Sequence, residues 1–193
     1  MKLYLIRHGE SKHNHEKKHS GQSMVPLTEK GIEQAKAVGK IIGSIKFDKI
    51  FCSDLTRAVM TCENALPGRD YEKLSLIREV NVGTLADRPV QDCIDEYGEK
   101  YTARRAEYDF TPWGGENREM TCERVSNFLK MIENCGYETV AAFGHGTFFN
   151  FLLGIVLGCD TTKSAVLENC GVCVFSFSDG TWKIHNWNIQ SEF

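Results

Sequence analysis

Two segments far apart in this sequence set a histidine beside a glycine: Arg7-His8-Gly9-Glu10 and Gly144-His145-Gly146. Each follows a short apolar run, so each histidine falls where a strand would end. The glycines permit tight turns and let the backbone approach a ligand closely. A third segment, Cys52-Ser53-Asp54-Leu55-Thr56-Arg57-Ala58, puts Arg57 in the first turn of a predicted helix. A helix N-terminus favours an anion, and a guanidinium offers it two parallel hydrogen bonds. The chain carries a formal charge of −3, so an anionic ligand has to be held by such a local cluster. That same balance argues against nucleic acid as a partner, since binding it rests on a surplus of Lys and Arg.

Behind these residues the sequence alternates strand-like and helix-like patterns, the signature of βα units and a mostly parallel sheet. Strands are predicted at residues 2–7, 49–52, 73–77 and 139–144. A helix begins at Thr28 as N-cap, with Ile32, Ala35, Val38, Ile41 and Ile42 forming an apolar stripe at helical spacing. Further helices are predicted at 54–65, 120–135 and 147–157, the last apolar and buried. Segments 172–178 and 181–187 flank Asp179-Gly180, a hairpin signal, so the sheet should end in an antiparallel pair. The expected fold is therefore α/β, a single-domain three-layer α/β/α sandwich over residues 1–193. Residues 82–118, where the pattern weakens around a helical stretch at 90–108, read as a lid or insertion rather than core. In open sheets of this kind ligands bind beyond the carboxyl ends of the strands, where His8, Arg57 and His145 fall.

At 193 residues, 41% hydrophobic and 25% charged, the chain is sized for one core. The apolar run 1–6 is too short for a signal peptide, and no segment approaches the roughly 20 apolar residues that span a bilayer. A cytoplasmic protein without a membrane partner is expected. The eight cysteines read as reduced, mostly buried thiols, Cys170 and Cys173 included.

On these residues the sequence closely resembles the histidine phosphatase superfamily, the phosphoglycerate mutase-like proteins. The matching features run in family order. They are Arg7-His8-Gly9-Glu10-Ser11 with Asn14, Pro26-Leu27-Thr28 with Gly31 and Gln34-Ala35, and Ser53 with Arg57-Ala58 and Thr61. Arg78-Glu79 with Gly83, Gly114-Gly115-Glu116, and Gly144-His145-Gly146 complete them. The resemblance implies a phosphatase in which a neutral His8 attacks phosphorus and forms a phosphohistidine. Arg7, Arg57 and His145 would offset the charge of the transferring phosphoryl group, Asn14 would add a neutral donor, and Gly146 would complete the substrate-binding set. Glu79 matches the proton donor that protonates the leaving alkoxide and then activates water. Neither metal nor cofactor is implied, and the substrate would be a small phosphorylated metabolite. Whether two copies pair as a homodimer is not legible.

The sequence departs from the family pattern after Gly83, where Thr84-Leu85-Ala86-Asp87-Arg88 follows, and after Gly146, where Thr147-Phe148-Phe149-Asn150 follows. Both places bear on specificity rather than on the phosphate pocket. Tyr101, Arg104, Arg105, Tyr108 and Trp113 offer aromatic faces and cations for the rest of the substrate. A phosphoglycerate mutase-type phosphotransferase and a non-catalytic phosphate-binding protein are the competing readings. His13, His15 and His19 form a rival metal cluster, on spacing that fits no known zinc motif and in what reads as a polar loop.

Overall fold

The computed structural model describes residues 1–190. Its centre is β1 (Lys2–Arg7), which lies between β4 (Thr139–Gly144), parallel to it, and β5 (Val172–Ser178), antiparallel. Beyond β4 lie β2 (Lys49–Cys52) and the two-residue β3 (Glu72–Lys73), both parallel. Beyond β5 comes β6 (Thr181–Ile189), which closes the predicted hairpin. The order across the sheet is β3-β2-β4-β1-β5-β6. Register pairs Arg7 with Gly144. The two His-Gly segments therefore leave adjacent strands side by side.

Six helices accompany the sheet among the described residues: α1 (Lys12–His15), α2 (Glu29–Ile42), α3 (Thr56–Ala65), α4 (Val90–Ala106), α5 (Arg118–Glu133) and α6 (Gly146–Leu157). Strand side chains alternate between the faces of a sheet. On one face Ile6, Ile50, Cys52, Ala141 and Phe143 pack against Ala35, Val38 and Ile42 of α2 and Ala58 and Cys62 of α3. On the other, Leu3, Leu5, Phe51, Val140 and Ala142 meet Val125, Phe128 and Ile132 of α5 and Phe148, Phe151 and Leu152 of α6. The result is the three-layer α/β arrangement expected. Burying each such large side chain contributes roughly 1.5–3 kcal/mol.

The structure corrects the sequence reading in three places. The strand expected at 73–77 ends at Lys73, and Ser75–Ile77 turns into a 3-10 helix instead. Lys73-Leu74-Ser75-Leu76-Ile77 alternates like a strand, but Ile77 is drawn into the core and the chain swings Arg78 and Glu79 towards the end of the sheet. The loop expected around His13 contains α1, capped by a reciprocal pair: the Asn14 amide N–H donates to Ser11 Oγ, and the Ser11 N–H to Asn14 Oδ1. The segment 82–118 is core as well as cover. Val82, Leu85, Cys93, Tyr101, Phe110 and Trp113 are all buried in the cluster under α5 and α6. Gly98, at φ 54° and ψ −134°, bends α4 at a conformation that suits glycine. Tyr101 and Trp113, with ring centroids 6.0 Å apart, meet beyond the bend.

Candidate active site

The carboxyl ends of β1, β4 and β2 each deliver one part of the site. From β1, the His8 amide N–H donates to the Gly144 carbonyl at 3.0 Å, carrying the ladder one residue past the strand. The chain then turns at Gly9, where a Cβ would stand 2.4 Å from the carbonyl oxygen of Gly31. The Gly9 N–H donates to Thr61 Oγ1 at 3.0 Å. This tight contact with α2 and α3 fixes the His8 backbone.

His8 Nδ1 lies 2.7 Å from the Gly9 carbonyl oxygen, which accepts only, so Nδ1 carries the proton and Nε2 the lone pair. That lone pair receives Arg57 Nε–H at 3.3 Å. Burial, then the charges of Arg57 and Arg7, hold His8 well below the ordinary histidine range. It is 3% exposed and neutral at physiological pH. A neutral imidazole with one nitrogen tied down and the other directed at a guanidinium is nucleophilic towards whatever anion that guanidinium binds.

Arg57, on the first turn of α3, is fully buried. Its Nη1 and Nη2 donate to the carbonyls of Ser23 and Gly21 at 3.0 and 2.8 Å. Burial lowers its pKa to about 10, which still leaves it cationic. Arg7 donates through Nη1 to the Leu167 carbonyl, and its Nε is buried with no hydrogen-bond partner among the described residues. A Cβ on Gly146 would stand 3.1 Å from that Nε, so glycine there leaves room for the guanidinium.

His145 leaves β4 beside His8, ring centroids 5.2 Å apart. Its Nε2 meets Ser53 Oγ at 2.8 Å, while Nδ1 is buried and unpartnered among the described residues. Neutral, His145 carries a single ring proton and offers an N–H rather than a positive charge. Burial and then Arg57, His8 and Arg7 keep it well below the usual range. Around the two imidazoles the positive charge thus comes from Arg7 and Arg57.

Glu79 arrives on the loop that replaced the end of the expected third strand. Its Oε2 accepts the Thr147 N–H at 3.2 Å, and its Oε1 the Phe148 N–H at 3.1 Å and the Val80 N–H at 3.0 Å. The carboxyl group thereby sits at the N-terminus of α6. The departure at Thr147-Phe148 touches only side chains; what Glu79 uses there is backbone. Asn14 holds the turn after His8, and Asn169 Nδ2 donates to the His8 carbonyl at 3.0 Å.

Arg7, Asn14 and Glu79 line a cleft of about 570 Å³. His8, Arg57 and His145 lie behind this lining, buried. Lys18, His19, Val90, Arg105, Tyr108 and Phe110 line the same cleft. The structure thus brings Arg7, His8, Asn14, Arg57, Glu79, His145 and Gly146 together, and Arg105 and Tyr108 reach the cleft. Tyr101, Arg104 and Trp113 do not: the two rings are buried, and Arg104 pairs with Asp109. His13 faces Asp87 and His19 meets the Tyr101 hydroxyl. Among the described residues no group of three or more His, Cys, Asp or Glu is placed to hold a metal ion. Cys170 and Cys173 are buried free thiols, pushed by burial to about 12. The sequence reading missed Asn169, whose contact spans most of the chain, and the hydrogen bond of Ser53.

The sequence matches the histidine phosphatase superfamily (branch 1) over residues 3–190. The protein therefore belongs to the histidine phosphatase superfamily. It is similar to the adenosylcobalamin/alpha-ribazole phosphatase of Escherichia coli, with 31% identity over 163 residues, 82% of this chain and 80% of that one. It is also similar to a Salmonella paratyphi A protein named "Probable phosphoglycerate mutase GpmB", at 28% identity over 99% of this chain and 92% of that one. In structure it resembles the alpha-ribazole phosphatase of Shigella flexneri, with a TM-score of 0.90, 25% identity, and coverage of 99% and 98%.

Proposed function

We propose that the protein is a phosphatase that hydrolyses a small phosphomonoester through a phosphohistidine on His8. The observation that carries this is the His8 imidazole: neutral, with Nδ1 held by the Gly9 carbonyl and Nε2 aimed at the Arg57 guanidinium. In the first step Nε2 bonds to phosphorus as the ester P–O bond breaks, and Glu79 gives its proton to the departing alkoxide. In the second, water bonds to phosphorus, the P–N bond breaks, and Glu79 takes the water's proton. Arg7 and Arg57 offset the charge on the phosphoryl oxygens and the His145 N–H adds a neutral donor, so no divalent ion is needed for that task. Asn14 and Gly146 belong to the substrate-binding set. The rest of the substrate lies along Val80, Val82, Val90 and Phe110 towards Arg105.

Brief reaction with labelled substrate, quenched without acid, is expected to trap an acid-labile, alkali-stable phosphoenzyme that His8→Ala abolishes. Turnover is expected to survive a strong chelator. Equal labelling of the variant would overturn the assignment. The alternative, a mutase, draws on the GpmB resemblance; transfer of label to a second hydroxyl of the substrate in place of water would establish it.

A further inference from the structure

The loop that carries Glu79 has no strand to hold it, because β3 ends before it. What holds it instead is Arg124, on α5. Its Nη1 donates to the carbonyls of Leu76 and Arg78 at 2.9 and 2.6 Å, and its Nη2 to the carbonyl of Glu79 itself at 3.3 Å. The remaining N–H groups go to Glu116, Nε to Oε1 at 2.9 Å and Nη2 to Oε2 at 2.8 Å. Every N–H of the guanidinium is thereby used. Glu116 in turn accepts the Asn81 N–H at 2.8 Å, tying down the other side of the same loop. Both side chains are nearly buried, 15% and 13% exposed. The Arg124 guanidinium also lies 4.9 Å from the ring centroid of Phe148, whose N–H holds the Glu79 carboxyl. One side chain therefore touches both moorings of Glu79, the backbone behind it and the helix in front. Arg124 does not line the cleft, and with its donors committed it has none to offer a ligand.

We propose that Arg124, seated by Glu116, is a positioning residue that sets Glu79 for proton transfer; this rests on the reading of Glu79 as the proton donor. Misplacing a reacting group by about 1 Å can cost on the order of a hundredfold in rate. A loosened clamp should therefore tell on proton transfer to the leaving group and spare the steps that need only His8 and the arginines.

The test is single-turnover phosphorylation of His8 by an alkyl phosphate and by nitrophenyl phosphate. It is run on the unmodified protein, Arg124→Lys, Glu79→Gln and the double variant. Lysine keeps the charge and loses the planar fork. Arg124→Lys is expected to slow the alkyl ester about tenfold and to change the nitrophenyl ester less than about twofold. In the Glu79→Gln background it is expected to add no further loss. Equal losses with both esters, or a full additional loss in the double variant, overturn the inference. Should Arg124→Lys fail to fold, Glu116→Gln, which replaces one of the two acceptor oxygens facing Arg124 and Asn81 by an NH2 donor, is read by the same criteria. If the unmodified protein forms no phosphoenzyme, or Glu79→Gln shows no difference between the esters, the phosphatase or proton-donor reading falls and the inference with it. If Glu79→Gln shows the difference and the clamp variants do not, the clamp alone is refuted.

Discussion

A proton donor matters in proportion to the basicity of the group it protonates, and this makes Glu79 testable on its own. Glu79→Gln retains the size and removes the proton. Phosphorylation of His8 by an alkyl phosphate is expected to fall on the order of a hundredfold or more, and by a nitrophenyl ester much less. The phosphoenzyme of the variant is expected to persist, since activation of water is lost too. Equal losses in single-turnover measurements would mean that Glu79 positions the phosphate. His8, Arg7, Arg57 and His145 were legible as residues because each carries its chemistry in a short local pattern at a strand end. The neutrality of His145 was not, because it depends on burial and on the charge of Arg57, which only the folded chain brings beside it. The clamp on Glu79 was equally hidden: Arg124 looks like any helix cation until α5 is docked.

At the level of the element, α4 separates two adjacent arginines that the sequence groups together. Arg105 lines the cleft and has no ion-pair partner among the described residues, whereas Arg104 faces Asp109. Arg105→Ala is therefore expected to reorder the ranking among phosphomonoesters of different alcohols, with generic aryl esters nearly unaffected. Arg104→Ala should leave the ranking as it is. Equal effects of the two variants on a substrate panel would place specificity outside α4. Elements with a strong period and a clear stop, such as α2 behind Thr28 or the hairpin at Asp179-Gly180, were legible with their ends nearly right. The segment after β3 was not, because an alternating pattern satisfies both a strand and a turn that buries Ile77. Nor was the core role of residues 82–118, where aromatic residues mixed with charges hide a buried face.

Across the whole molecule, the two buried imidazoles make stability depend on acidity. In the unfolded chain both histidines titrate near 6.5, while in the folded protein burial and the arginines hold them well below that. As pH falls through 6.5 the unfolded state takes up protons that the folded state refuses. Stability is therefore complete above about 6.5 and is lost below it, by up to about 1.4 kcal/mol per pH unit for each histidine. His19, lowered to about 4 by burial and Arg105, adds in the same direction. The melting temperature is expected to fall between pH 7 and pH 5, and less steeply in His145→Gln. Parallel curves would show that the imidazoles do not carry the effect. The strand order has a further consequence, for biosynthesis. β1 stands at the centre of the sheet, yet both of its neighbours, β4 and β5, are translated long after it. At roughly 5–20 residues per second, β1 waits on the order of ten seconds with Leu3, Leu5 and Ile6 unpaired. The nascent chain therefore passes through a stage in which the apolar residues of a central strand wait without their sheet partners. His8 meets His145 only when β4 has arrived, so the site is completed late.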